Sequence, residues 1–380
     1  MPALDGLRAL AITMVFLEHF GGGAHGGWVL QIFNRLRENL WMGVDLFFVL
    51  SGFLITGILY DTQNDSKFFK RFFARRAIRI FPVYYGVLLL IVLAAPLMHY
   101  QLHWLQLTFL VYLGNFFGNA NWTLYEITSP VHPTWMITIG HLWSLCVEEQ
   151  FYLVWPIVVW LVRERVKLLC IAVVGCVLAL LLRVGMQFIF GPVISERWVV
   201  RTIFFRADAL LMGAALALVL RGANAATWQR YCKGLFCVAG VMMVGVFLLP
   251  ADQTSPWVFT IGLSLTALTS TGLIGMAVHP ETATYCMFSL RPLRVIGKYS
   301  YGFYVFHYLF LWAWIQLFLL IIARVHSMLL AGFIYIPLAY GTTFLVSKLS
   351  YDFYESWFLR LKKYFQYDVE ISKTGHQSVI

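Results

Sequence analysis

Arg8 and His19 stand eleven residues apart in the run LDGLRALAITMVFLEHF. On an α-helix, eleven steps of 100° return to within about 20° of the same face and rise roughly 16 Å. One face then carries a guanidinium at one end and an imidazole at the other. A guanidinium fork matches phosphate oxygens, and an imidazole is a general base near neutral pH. The next apolar run, WMGVDLFFVLSGFLITG (41–57), puts Asp45 at about the depth of His19. The two are expected to form a His–carboxylate pair, the acid fixing the tautomer and raising basicity. Arg75, Arg76 and Arg79 open a further helix in FFKRFFARRAIRIFP (68–82). Its N-terminus adds positive potential, so these arginines are candidates to hold phosphate. In HLWSLCVEEQFYLVWP (141–156), His141, Ser144, Glu148 and Tyr152 share one helical face, and Glu149 lies about 80° away. Ser300, Tyr304 and His307 share a face in GKYSYGFYVFHYLFLW (297–312).

Ionisable groups inside apolar helices mark functional paths. The candidate catalytic residues are therefore His19, Asp45 and Glu148, either acid being placed to orient the base. The candidate channel comprises Ser51, Ser144, Glu149, Tyr152, Ser300, Tyr304 and His307. Structural roles fit some of the same residues: a snorkelling Arg8, a hydrogen-bonded core His, basic loops that only set topology, or a network joining Glu148 and Glu149 to Arg183 or Arg206. Arg206 and Asp208 point to nearly opposite faces and are not expected to pair. Asp208 is expected to reach Arg201 instead, in a structural role. His99 and His103 are four apart but lack a third ligand, so no metal site is expected. No Walker A, HExxH or GxSxG pattern is present.

Composition says what must position these groups. Of 380 residues, 60% are hydrophobic and 12% charged. Soluble domains run near 45–50% apolar and about 25% charged. The chain is therefore expected to be an all-α polytopic membrane protein. The net charge of +10 is read as basic loops on the cytoplasmic side, not as affinity for nucleic acid. The six cysteines are read as small buried hydrophobes, without a disulfide or zinc framework.

Apolar runs lie near 7–21, 41–60, 80–98, 104–118, 141–162, 168–190, 202–220, 234–250, 257–278, 299–322 and 328–348. If the run 104–118 does not cross, twenty Lys and Arg fall on one side, among them Arg75, Arg221, Arg294 and Lys373. The opposite loops hold five: Arg35, Arg37, Arg197, Arg201 and Arg324. If it crosses, that bias is lost. The expectation is thus about ten spans with both termini cytoplasmic. The first helix is expected to be retained, because a glycine-rich stretch (Gly21–Gly27) follows it and no cleavage site does. Residues 99–140 form a long outer segment that dips into the membrane or lies on it. The transmembrane domain is taken as 1–350, with a cytoplasmic amphipathic tail at 351–380.

PALDGLRALAI running to His19, GVDLFFVLSGFLITG, the RRAIR loop, HLWSLCVEEQFYLVWP and GKYSYGFYVFH occur in this order. Together they resemble the acyltransferase-3 family, bacterial membrane O-acyltransferases of envelope glycans, lipid-linked sugars and some secondary metabolites. The family's Arg-x10-His pair falls on Arg8 and His19 and its RxxR motif on Arg76 and Arg79. Its SGF segment falls on Ser51, Gly52 and Phe53, and its WS-x3-E segment on Trp143, Ser144 and Glu148. The tail departs from the pattern, since Glu355 is followed by Ser356 and not closely by Pro. Some members carry a soluble SGNH-type domain after the membrane part, and none is expected within these 380 residues.

The resemblance implies transfer of an acyl group, acetyl by default, from cytoplasmic acyl-CoA to a hydroxyl of an envelope carbohydrate or lipid-linked glycan in the inner membrane. His19 would be the general base, and Arg8, Arg75, Arg76 and Arg79 would hold the phosphates. The rival readings are a transporter or flippase of donor or glycan, acylation of a small natural product at the cytoplasmic side, and a non-catalytic sensor.

Overall fold

The structure, a computed structural model, describes residues 1–20, 34, 37–120, 125–131, 136–248 and 255–367. The glycine stretch Gly21–Gly27, Arg35 and Lys373 lie outside the described residues. The long helices are α1 (Pro2–Phe20), α2 (Met42–Asp61), α3 (Phe68–Ala94), α4 (Trp143–Val162), α5 (Arg165–Arg201) and α6 (Ile203–Val219). They continue with α7 (Ala225–Leu248), α8 (Leu263–Ala277), α9 (Arg291–Lys298), α10 (Ser300–His307), α11 (Leu311–Val325) and α12 (Met328–Ser350).

Seven spans, formed by α2, α3, α4, α5, α7, α8 together with the π turn that precedes it (Val258–Gly262), and α12, are long and apolar enough to cross a membrane. The pair α10 and α11, bent by 74° at Tyr308–Phe310, makes an eighth. Helix α1 carries Asp5, Arg8 and Glu18, and α6 has 17 residues, so neither meets the same test. Both are enclosed by other helices: Ala3, Leu7, Ala11 and Ile12 of α1, and Leu210, Ala214 and Ala217 of α6, are fully buried. A helix surrounded by protein need not match lipid along its whole length. With these two, the ten expected runs each correspond to a helix or bent pair. The run 104–118 forms only a 3-10 turn (Trp104–Val111) and a short helix (Gly114–Ala120). Helix α5 is broken at Gly191, whose φ of +73° favours glycine, just before Pro192.

Small residues allow the central helices to touch backbone to backbone, the usual basis of association in lipid. A Cβ at Gly52 of α2 would collide with the Leu210 carbonyl of α6, and one at Gly213 of α6 with the Val49 carbonyl of α2. Charge then staples the same helices. Asp45 of α2 accepts from Arg206 of α6 at 2.8 Å, both side chains about 2% exposed. Asp208 of α6 accepts from Arg183 of α5 at 2.7 Å, and Ser264 of α8 donates to the same carboxylate oxygen at 3.0 Å. Asp208 therefore meets Arg183, not Arg201 as expected, because its face of α6 turns toward α5. Arg221 closes the far end with a two-point contact to Asp61 at 2.6 Å.

The outer faces of α5, α7 and α12 are lined by exposed apolar side chains such as Val174, Val241 and Phe333. Cys146 and Cys232 are buried, whereas Cys170, Cys237 and Cys286 are exposed. The expected buried role holds for only part of the set.

The segment 99–140 includes a short strand pair among its described residues. Strands Glu126–Thr128 and Met136–Thr138 pair antiparallel, with Ile127 opposite Ile137. It lies against protein: the Thr138 N–H donates to the Leu309 carbonyl in the α10–α11 bend, and Asn115 donates to the Arg201 carbonyl at the end of α5.

Past Ser350 the chain stays helical. Helix α12 runs on through a π turn (Tyr351–Glu355), a helical turn (Ser356–Leu359) and a 3-10 turn (Arg360–Phe365). This tail folds back on α3, where Tyr354 donates to the Pro82 carbonyl and Arg75 to the Phe365 carbonyl. Glu355 turns inward and is buried, its Oε1 3.2 Å from where a Cβ would stand at Gly302.

Removing one partner of a buried ion pair leaves an uncompensated charge, an effect of about 3–5 kcal/mol. Arg183→Leu alone should lower the thermal midpoint in detergent more than Arg183→Leu with Asp208→Leu. Equal midpoints in thermal size-exclusion assays would show that the pair is not a staple.

Candidate active site

Two cavities open between the helices. The larger, about 430 Å³, is lined by Arg8 of α1, Arg75, Arg76 and Arg79 of α3, Lys298 of α9 and Lys362 of the tail. Ser51, Ser144, Glu148, Tyr152, Ser300 and Tyr304 also line it. The smaller, about 190 Å³, is lined by Glu18, His19, His141, Trp143, Arg201 and Arg206. Val44 and Tyr304 line both, so they form the wall between them.

Helix α1 explains this division. Its eleven-residue spacing puts Arg8 on the first cavity and His19 on the second, roughly 16 Å along the same helix. The residues expected to line one channel are thus divided between two chambers that share Val44 and Tyr304.

Six cations converge on the larger cavity. Arg8 is ion-paired, to Asp5 at 2.6 Å. Among the described residues, the other five have no carboxylate within ion-pair distance. Arg75 donates to the Phe365 carbonyl and lies 5.2 Å from the Tyr367 ring centre. Arg76 sits 4.3 Å over the Tyr152 ring, and its Nε is buried without a partner. Lys298 lies between the Tyr299 and Tyr351 rings. Helix α3 presents three of these cations because positions 75, 76 and 79 fall on adjoining faces of its first turns. Unpaired guanidinium groups at this density attract a polyanion.

Glu148 belongs to this chamber. Its Oε2 accepts from Tyr152 at 3.2 Å, and the Tyr152 hydroxyl also bonds Ser51. Arg76 is its main positive neighbour. The alternative reading, a network with Arg183 or Arg206, is not seen among the described residues, because Asp208 and Asp45 occupy those arginines. Ser144 bonds the Tyr304 hydroxyl, which donates to the His141 carbonyl at 2.7 Å. Glu149 lines neither chamber, and its Oε1 is buried without a partner.

His19 is held by its own helix. Its Nδ1 lies 2.8 Å from the Val15 carbonyl and 3.1 Å from Glu18 Oε2. Donation from Nδ1–H to these acceptors leaves Nε2 as the basic nitrogen, and it has no hydrogen bond among the described residues. The expected Asp45–His19 pair does not form, since Arg206 holds Asp45. Glu148 likewise faces the other chamber. The carboxylate beside His19 is Glu18, which sequence reasoning passed over because neighbouring helical side chains usually diverge.

His307 does not line the channel as expected. It is fully buried behind His19, with ring centres 5.2 Å apart, and 5.3 Å from His141. Its Nδ1 faces the Tyr304 carbonyl at 2.6 Å. Arg206 lies over Phe48 and Trp143 in the wall of the smaller chamber. Lys298 and Lys362 are site cations that sequence reasoning had counted only as topology charges. Nothing in their local sequence says that they reach the cavity.

Comparison with known proteins gives the family. The chain is 32% identical to the peptidoglycan O-acetyltransferase OatA of Listeria monocytogenes over 328 residues, covering 81% of this chain and 49% of that protein. It is 30% identical to YrhL of Bacillus subtilis, to which the same activity is ascribed, with 81% and 48% covered. It is 27% identical over 370 residues to a protein of Staphylococcus aureus to which O-acetyltransferase activity is ascribed, with 94% and 57% covered. The chain spans about half the length of the curated relatives it matches. No solved structure matches it. The family described as an acyltransferase domain matches residues 1–351, and the chain accordingly belongs to the acyltransferase-3 family.

Proposed function

We propose that the protein transfers an acyl group, acetyl by default, from acyl-CoA to a hydroxyl of a cell-envelope carbohydrate. It would do so within a bacterial inner membrane, with both termini and the cation chamber on the cytoplasmic side. The names of the relatives support peptidoglycan or a related envelope glycan as acceptor. The observation that carries the reading is the pair of chambers: six cations line one, five of them with no carboxylate at ion-pair distance among the described residues, the His19 imidazole lines the other, and the two share wall residues.

The residues present fit the donor. Acyl-CoA carries a diphosphate and a 3′-phosphate at one end, and five of the six cations have no carboxylate within ion-pair distance among the described residues. The buried, unpartnered Nε of Arg76 is a further unused donor. Arg8, Arg75, Arg76 and Arg79 would hold the phosphates. Roughly 16 Å of α1 then separates them from His19, a reasonable match to an extended pantetheine arm. When bound, the donor supplies an activated thioester.

His19 Nε2 takes the proton of the acceptor hydroxyl as the new C–O bond forms. It returns that proton to the sulfur as the C–S bond breaks. Glu18 and the Val15 carbonyl keep the Nδ1–H in place and stabilise the imidazolium that forms between these events. Asp45 acts at one remove, by fixing Arg206 in the wall of the same chamber. Glu148 positions Tyr152 and faces Arg76 in the donor chamber. The acceptor enters from the side that the 99–140 segment covers.

His19→Ala should lower turnover by about 10²–10⁴-fold and leave donor affinity within about twofold. Radiolabelled acetyl-CoA, with binding and transfer measured separately in nanodiscs, reads both. Loss of binding in step with turnover would contradict a base role. Val44→Trp should narrow the passage between the chambers. Turnover should then fall at least tenfold while donor binding persists, and unchanged turnover would mean that the chambers are not used in series.

A further inference from the structure

The tail lies largely beyond the part of the chain that the family match covers, which ends at residue 351. It nonetheless reaches the cation chamber through Lys362 and Tyr367. Lys362 is half-buried and has no acidic partner among the described residues. Its strongest electrostatic neighbours are all cations, namely Arg79, Arg75, Arg76 and Arg8. Like charges so placed repel one another unless an anion lies between them.

The order of residues along the chamber says which anion. The end next to the His19 chamber is marked by Tyr304. Along α3, Arg75 precedes Arg79 by one turn, about 6 Å nearer the helix start. The tail meets α3 at that level, through the Phe365 carbonyl and the Tyr367 ring on Arg75. The tail thus runs along α3 from Pro82 to Arg75, so Lys362 stands between Arg79 and Arg75, toward the end farthest from His19. A donor whose thioester points to His19 leaves its phosphorylated adenosine at this end.

We propose that Lys362, supplied by the tail, binds with Arg75 the 3′-phosphate of the donor, so that the tail gives the site its preference for CoA over dephospho-CoA. This rests on the acyl-CoA reading above. The test is equilibrium binding of CoA and of dephospho-CoA to the full chain in nanodiscs, by calorimetry, for wild type, Lys362→Gln and Lys362→Arg. A hydrogen bond to a charged group corresponds to roughly tenfold or more in affinity. Lys362→Gln should therefore weaken CoA by about tenfold and leave dephospho-CoA within about twofold, while Lys362→Arg keeps the preference. Equal weakening of both ligands, or weakening of neither, overturns the proposal. If wild type binds neither ligand, the donor reading itself fails and the proposal fails with it.

Discussion

The Asp45–Arg206 ion pair shapes both the fold and the site. It joins α2 to α6 at a place where both side chains are almost fully buried. A lone charge there would be strongly unfavourable, so the two helices are fixed in register against each other. The Gly52 and Gly213 contacts permit the approach that the pair needs. Arg206 then stands over Phe48 and Trp143 as a wall of the His19 chamber. Asp45 is thereby committed to a cation, and the imidazole has to take its support from Glu18 and the Val15 carbonyl.

The same constraint separates structural charges from functional ones. Arg183, Arg206 and Arg221 each hold a carboxylate within 2.8 Å. Arg75, Arg76, Arg79, Lys298 and Lys362 line a cavity and hold none among the described residues. On the proposed reading, a polyanionic donor supplies the negative charge that these cations lack. The tail belongs to this arrangement, because its docking on α3 brings Lys362 to the others.

Much of the architecture was legible in the sequence, because lipid imposes simple rules on length and charge. The ten helical units follow from apolar runs, and the non-crossing of 104–118 follows from the charge bias. The placement of Arg8 and His19 follows from helical periodicity alone. What was not legible depends on contacts between distant helices. The choice of Arg206 by Asp45, and of Arg183 by Asp208, is made by how α2, α5 and α6 rotate against one another. The wall formed by Val44 and Tyr304 joins residues about 260 positions apart. The short strand pair near residue 127 is too brief to leave a periodic signal. The inward turn of Glu355 depends on the space left by Gly302.

The central claim is that one helix face spans two chambers, one for the phosphates of the donor and one for the chemistry. The most direct measurement is an experimental structure of the chain with a thioether analogue of acetyl-CoA, in which sulfur bonds to a methylene and no transfer occurs. The account predicts phosphate density among Arg75, Arg76 and Arg79. It also predicts an acyl end that passes Val44 and Tyr304, with room for a hydroxyl about 3–3.5 Å from each reacting partner beside His19 Nε2. Phosphate density elsewhere, or an acyl end that stays outside the His19 chamber, would contradict it.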